Sequence, residues 1–453
     1  MKVLVAGGTG FLGTYLVDEL IRRNHEVIVL SRKNTAELGP RPYRHVAWPL
    51  RSAQEIDIIN QCDALINLAG EPIFGARWTR DKKNKIKNSR AQFTRHLTDL
   101  LRSSLRLKVF LNASAIGFYG DRKTELLTEQ SPSGEGFLAG VCKEWETAAM
   151  GFHRAGLRTV LMRTGIVLCR TGGLLAELEP LYRAHMGGPS GSGSQYMSWI
   201  HVEDWVRAAI FCLENSSASG AVNFVAPESM TNRSFSHIYG ELFHQRRLIT
   251  TPTLALKIAL GEMASLVLDS QNVRPEKLLS AGFMFKHPYL KDALWELYEY
   301  EKQGRHVNEF YERKVWIAKA PDKMFHLLST PKNVENFLPE KFGYHWVKQS
   351  TESIMSGSFI DWRPANDNGG CGDLRIQIKT WRPPTEFSYV LEPGPLSIWD
   401  HHVLCQPLKN GALITDRIHF QTKGFWPLRL LGARRIRKSL FEIFTQRDQV
   451  LDR

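Results

Sequence analysis

Gly7, Gly10 and Gly13, in the stretch Val5-Ala6-Gly7-Gly8-Thr9-Gly10-Phe11-Leu12-Gly13, have the type and spacing of a phosphate cradle. Gly7 allows a tight turn, Gly10 lets a pyrophosphate approach the backbone, and Gly13 lets a helix pack closely on a strand. Thr9, Phe11 and Leu12 complete the loop as cofactor contacts. The helix that follows offers free N–H groups and a partial positive charge to phosphate oxygens. Ser31, Arg32 and Lys33 begin eighteen residues past Gly13, where an acid usually accepts hydrogen bonds from the ribose hydroxyls of NAD. A carboxylate repels a 2′-phosphate, whereas two cations and a hydroxyl attract it. The expected cofactor is NADP(H).

These residues need a strand, a helix and a second strand to position them. The apolar run Val3–Ala6 is too short for a helix, Leu12, Leu16 and Leu20 recur at helical spacing, and Val27–Leu30 is a second buried run. Together they predict a βαβ unit. Asp63–Gly70 reads as another strand running into a turn, with Asn67, Ala69 and Gly70 beside the adenosine half of the cofactor. Val109–Ser114 is a fifth strand, leading into Ala115-Ile116-Gly117-Phe118-Tyr119-Gly120-Asp121. Val160–Leu168, with Arg163, is a sixth, and Ser198–Trp205 carries His201 and Asp204. The fold class is α/β, a doubly wound Rossmann-type parallel sheet.

The Gly-x-x-Gly-x-x-Gly spacing resembles the short-chain dehydrogenase/reductase superfamily in its extended, epimerase-like branch. The resemblance implies Ser114, Tyr119 and His201 as candidate catalytic residues and Arg163 as a contact near the nicotinamide end. Counting back from Tyr119 without a gap puts the catalytic hydroxyl position at Ala115 instead. The chain also departs from the superfamily at its proton donor, a Tyr with a Lys four residues later. Taking Glu146 as the usual downstream acid, those positions fall on Leu138 and Cys142. Neither performs that chemistry, and Lys143 is rotated by ~100° around the helix. The segments Gln271–Leu279, Ala281–Lys286 and Ala293-Leu294 are similar to one epimerase-related family that closes the dinucleotide domain with a short segment of unknown function. This resemblance covers residues 1–297. The family's pattern lacks the dyad too, so its name carries little weight for epimerase chemistry.

The 453 residues exceed a single ordinary core. The net charge of +13 could suggest nucleic acid, so its distribution matters: 38 Lys and Arg against 30 Asp and Glu before residue 306, and 21 against 16 after it. The excess is spread and no nucleic-acid motif accompanies it. Residues 77–95 hold Arg77, Arg80, Lys82, Lys83, Lys85, Lys87, Arg90 and Arg95 against Asp81 alone, a solvated helix face or a site for an anionic substrate. The loop Gly187–Gln195 reads equally as an anion nest or a plain turn. The six cysteines show no metal-ligand spacing and read as reduced thiols. The first strand begins at Lys2, so no signal peptide is expected. Leu254–Leu268 is broken by Lys257 and Glu262 and is too short to span a bilayer.

After Tyr298–His306 the pattern changes. Alternation over Phe310–Ile317 is followed by a short helix opened by Pro321 and by strand-like runs at Phe359–Trp362, Leu374–Trp381, Glu386–Leu391, Ile398–Gln406 and Leu413–Phe420. An amphipathic helix over about Pro427–Val450 closes the chain, with Leu428, Leu431, Ile436, Leu440, Ile443 and Phe444 on its apolar side. This order, with Glu312–Ile317, Gly394–His402 and Thr415-Asp416-Arg417, resembles the START-like, helix-grip superfamily (SRPBCC) in its cell-division-inhibitor-type members. The resemblance implies a sheet curled around the long helix and an apolar cavity. His401 and His402 are strand neighbours, point to opposite faces and cannot share a metal ion. The run Arg434-Arg435-Arg437-Lys438 reads as a solvated face.

The expected domains are a dinucleotide-binding domain over 1–240, the family's C-terminal segment over 241–300 and an α+β helix-grip domain over 306–453. The expected function is an NADP(H)-dependent oxidoreductase of atypical mechanism, with the second domain holding or shuttling an apolar substrate. A non-catalytic NADP(H) redox sensor and a nucleotide-sugar epimerase or dehydratase are the alternatives. No metal, nucleic-acid partner or membrane insertion is expected, and the setting is cytoplasmic.

Overall fold

The computed structural model describes residues 1–33, 40–75, 77–102, 104–154, 156–299, 309–337, 344–364, 373–392, 396–422 and 426–452, leaving out the side chains at 153, 154, 397, 426–431 and 452. Cys371, Gly394, Pro395 and the side chains of Leu428 and Leu431 lie outside the described residues. The chain forms two compact units, the first taking in residues 1–37 and 43–303, the second residues 38–42 and 304–453.

In the first unit the short apolar runs become the strands of a seven-stranded sheet. They are β1 (Lys2–Ala6), β2 (Glu26–Ser31), β3 (Arg44–Ala47), β4 (Ala64–Asn67), β5 (Val109–Ala115), β6 (Arg158–Thr164) and β7 (Gly220–Phe224), in the order β3-β2-β1-β4-β5-β6-β7. Every pair is parallel. Such a sheet is covered on both faces, which is why Val3–Ala6 and Val27–Leu30 are apolar throughout and buried. Helix α1 (Phe11–Arg22) buries Leu16, Val17, Leu20 and Ile21, a stripe at helical spacing. Each such side chain contributes roughly 1.5–3 kcal/mol on burial. Helix α2 (Phe137–Arg154) sends Ala149 and Phe152 into the same core as Leu65, Phe110 and Leu161.

The run Val160–Leu168, read from sequence as one strand, is two. At Gly165 a Cβ would stand 2.6 Å from the Ser198 carbonyl oxygen and 2.7 Å from Val225. The backbone of another segment crosses there, so Ile166–Leu168 leaves the main sheet and pairs with Trp199–His201. Helix α3 (Val202–Glu214) follows directly.

The second unit is an antiparallel sheet of β8 (Glu309–Ile317), β9 (Tyr344–Gln349), β10 (Phe359–Pro364), β11 (Leu374–Arg382), β12 (Glu386–Glu392), β13 (Leu396–Leu408) and β14 (Gly411–Thr422), ordered β8-β14-β13-β12-β11-β10-β9. Helix α4 (Pro321–Ser329) has its proline in the first turn, where no N–H is needed. It packs Met324, Phe325 and Leu328 against Val315, Phe387 and Val403. The long helix α5 (Trp426–Asp452) lays Ala433, Leu440 and Phe444 on Ile418 and Phe420. The sequence pattern missed β9, because this edge strand is exposed over most of its length and has no buried alternation. Among the described residues no helix is long and apolar enough to cross a membrane.

Candidate functional site

The glycine loop joins β1 to α1 where the sheet order reverses, with β2 on one side of β1 and β4 on the other. Ligands of open α/β sheets sit at the carboxyl ends of the strands at such a point. Gly7 has φ +78, and a Cβ on it would lie 2.9 Å from the backbone of Leu68 and of Ala69. At Gly13 a Cβ would come 2.3 Å from the Gly7 carbonyl oxygen, so α1 sits on the loop without a gap. At Gly10 the same atom would meet only that carbonyl, at 3.2 Å. Gly10 is the N-cap of α1 and no side chain caps the helix. Open space in front of uncapped N–H groups is what a pyrophosphate requires.

Around the loop, Phe11 packs its ring on Gly172, and the Tyr15 hydroxyl is 2.8 Å from that of Thr171. Ser31 ends β2 with its hydroxyl 3.0 Å from His45 Nε2, and it accepts the Lys33 N–H. Burial lowers His45 from its ordinary value, so its ring is neutral near pH 7. Arg32 and Lys33 are exposed. Asn67 is buried at the end of β4, donating to Thr94 Oγ1 and Asn112 Oδ1 and accepting the Ala69 N–H. Gly70 lies against the Arg90 guanidinium, which donates to the Glu71 and Ile86 carbonyls.

At the dyad positions, Leu138 and Cys142 of α2 face the turn after β5. A Cβ on Gly117 would touch the Leu138 Cβ at 3.3 Å and Cys142 Sγ at 3.9 Å. Burial pushes the Cys142 thiol up to about 11, so it is protonated and inert at neutral pH. Leu138 belongs to an apolar cluster with Ile73, Trp78, Ile86, Phe137, Val141, Met263 and Leu266. Sequence reasoning missed this cluster. Its signal, Ile73 just ahead of the basic run and Trp78 and Ile86 within it, is interrupted by charge.

That run mostly braces the structure. Lys82 pairs with Glu71, Lys83 with Glu262 and Lys87 with Glu144. Arg77 donates to the carbonyls of Ile258 and Ala259 at the end of helix Thr253–Leu260. The loop after Gly187 likewise turns its amides inward: those of Ser190, Gly191, Gly193 and Ser194 bond to Asn232, Thr251, Ser190 and Ser192. With these amides committed, the geometry favours the plain turn over the anion nest.

Ser114 and Tyr119 are brought together, but through a closed network. The Ser114 hydroxyl donates to Glu146 Oε1 at 2.6 Å. Arg163 donates to both oxygens of Glu146 at 2.9 Å and to the Tyr119 hydroxyl at 3.0 Å. Tyr119 in turn donates to Asn223 Oδ1 at 2.7 Å. The Arg163 guanidinium also stacks 3.6 Å from the Phe118 ring centroid. Burial raises the Tyr119 phenol, and its side chain is fully enclosed. All three guanidinium nitrogens of Arg163 are held by protein groups, so the geometry makes it a brace between β6 and α2.

His201 lies apart, capping α3 by accepting the Glu203 N–H on Nδ1 at 3.2 Å. Asp204, fully buried, accepts the N–H groups of Lys286 and His287. The backbone segment at 286–287 is thereby fastened to α3. His201, His287 and Glu296 converge closely enough to suggest a metal ion. The cap speaks against it: a neutral ring that accepts on Nδ1 carries its proton on Nε2, leaving that atom no lone pair for a metal. Nε2 lies 3.1 Å from Glu296 instead.

This fold and loop define a dinucleotide-binding protein of the Rossmann type. The model of the NAD dependent epimerase/dehydratase family matches residues 3–225, and that of a domain of unknown function, DUF1731, matches residues 251–297. The Epimerase family protein SDR39U1 homolog, chloroplastic, of Arabidopsis thaliana is 38% identical over 307 residues, 65% of this chain and 86% of its own length. Epimerase family protein ML0860 of Mycobacterium leprae is 34% identical over 294 residues, 64% of this chain and 94% of its own. The crystal structure of human epimerase family protein SDR39U1 (isoform2) with NADPH superposes with a TM-score of 0.59 at 32% identity, covering 66% of this chain and 99% of that one. The chain belongs to the NAD dependent epimerase/dehydratase family and is a homologue of SDR39U1.

Proposed function

We propose that the first unit is an NADP(H)-dependent oxidoreductase that acts on an apolar, conjugated acceptor without a side-chain acid. The observation that carries this reading is the apolar cluster around Leu138, where the superfamily places its proton donor. The glycine loop, with Gly7, Thr9, Gly10, Phe11, Leu12 and Gly13, would hold the pyrophosphate, and Asn67, Ala69 and Gly70 would border the adenosine half. Arg32 and Lys33, exposed beside Ser31, would attract a 2′-phosphate, and the NADPH seen with human SDR39U1 supports that choice. Bound there, NADPH supplies a hydride. Ser114 and Tyr119 already give their hydroxyl protons to Glu146 and Asn223. Reduction of a ketone needs a proton at oxygen from the site, whereas a conjugated alkene can take its proton from water.

The second unit is, on this reading, a START-like helix-grip domain that holds an apolar ligand. Its antiparallel sheet and closing helix of 27 residues support that assignment. The test is NADPH oxidation by the full chain with paired enones and simple ketones of equal size. Faster turnover of the enones is expected, and equal or greater turnover of the ketones would overturn the mechanism. Tight NADPH binding with no turnover on either would favour a redox sensor, a reading supported by the same committed hydroxyl protons. Epimerisation of a nucleotide sugar would favour the epimerase, which Leu138 and Cys142 argue against.

A further inference from the structure

We propose that the second unit contains a polarised recognition site, in which the phenol oxygen of Tyr389 accepts a hydrogen bond from a ligand that has an apolar body and a single hydroxyl or N–H donor. The proposal deepens the reading of that unit as an apolar-ligand binder and rests on it.

The polarity follows from taking donors and acceptors in turn. Arg447 donates to Asp416 through Nη1 to Oδ1 at 2.8 Å and Nη2 to Oδ2 at 2.6 Å. Burial by itself would raise the Asp416 carboxyl, but the Arg447 guanidinium and the bonds from His401 and Arg447 hold it well below the usual carboxylate range. An ionised carboxylate only accepts. His401 Nε2, 3.0 Å from Asp416 Oδ1, therefore carries a proton. One proton on Nε2 satisfies that contact, and the tautomer that carries it there presents a lone pair at Nδ1. Nδ1 lies 2.8 Å from the Tyr389 hydroxyl. Tyr389 must donate to it, and burial, then the Asp416 charge, keeps the phenol protonated. The proton is thus committed inward, while the oxygen retains a lone pair. Among the described residues the hydroxyl has no other hydrogen-bond partner.

The surroundings point the same way. His401, Asp416 and Arg447 are buried, while Tyr389 at the end of the chain of bonds is only half-buried. Its side chain packs beside two apolar clusters, one with Phe325, Phe387 and Val403 and one with Ile360, Trp362 and Ile378. A buried ion pair is seldom more stabilising than apolar packing of equal volume. Fixing the direction of the hydroxyl of this partly buried tyrosine gives the pair a role beyond stability.

The experiment measures binding of 2-naphthol and 2-methoxynaphthalene to the full chain by fluorescence. The two share an aromatic body and differ in the donor. The wild type should bind 2-naphthol about tenfold more tightly. Tyr389→Phe should abolish that preference while leaving 2-methoxynaphthalene unchanged. His401→Phe releases the Tyr389 proton and should turn the preference toward 2-methoxynaphthalene, which a merely structural histidine would not do. Equal binding of both probes to the wild type, or a preference that survives Tyr389→Phe, would overturn the polarised site while leaving the apolar-ligand reading standing. Binding of neither probe would overturn both.

Discussion

Each unit holds a buried, bidentate arginine–carboxylate pair with a tyrosine nearby, Arg163 with Glu146 in the first and Arg447 with Asp416 in the second, and the two arrangements end differently. In the first unit the chain of bonds runs from Ser114 to Glu146, Arg163, Tyr119 and Asn223, and every member is buried. In the second it runs from Arg447 to Asp416, His401 and Tyr389, and the last member is only partly buried and has a lone pair to spare. Bidentate geometry is common to both, so geometry alone does not mark a site. A network that consumes all its donors braces strands and helices. One that leaves a directed group at the surface of an apolar interior is suited to recognition.

The largest effects should come from cutting the closed network. Arg163→Met leaves the Glu146 charge buried without its partner, at a cost of about 3–5 kcal/mol. Denaturant unfolding of the first unit should shift by that amount, and hydrogen exchange should rise in peptides of β5, β6 and α2. A variant as stable as the wild type would show that the network is not a brace. The acid response of the second unit comes next. Because the folded Asp416 carboxyl is depressed, its contribution is fully present above the ordinary carboxylate value of about 3.9 and is lost as pH falls through and below that value. Hydrogen exchange in β13, β14 and α5 should therefore increase on acidification below about pH 4. Asp416→Asn should remove this pH dependence and leave a unit destabilised at neutral pH.

Smaller effects concern the open surface of the first unit. Arg32→Ala should weaken NADPH by roughly ten- to hundredfold, about 1.5–3 kcal/mol, and NADH far less. Equal losses in titrations with the two nucleotides would remove the 2′-phosphate assignment. The smallest change is Ser114→Ala. Glu146 keeps both bonds from Arg163, so the stability loss should be about 1 kcal/mol. NADPH affinity should not move. A large fall in enone turnover with this variant would return Ser114 to the chemistry and break the contrast between the closed and open networks.

Much of this was readable from short-range pattern. The strand–glycine–helix order of residues 2–22, the alternation of Phe310–Ile317 and the proline-opened helix at 321 are local, set by backbone sterics and by which face is apolar. The absence of a Tyr/Lys pair at 138 and 142 was equally plain, because it is a matter of residue type at fixed spacing. The break at Gly165 and the exposed strand Tyr344–Gln349 were not, since one depends on a crossing backbone and the other has no buried face. Nor could sequence say what Ser114, Tyr119, Arg163 and His401 do with their protons. Their partners, Glu146, Asn223 and Asp416, lie 32, 104, 17 or 15 residues away in the chain. The direction of a hydrogen bond is decided by the group at its far end, and only the tertiary structure brings that group within 3 Å.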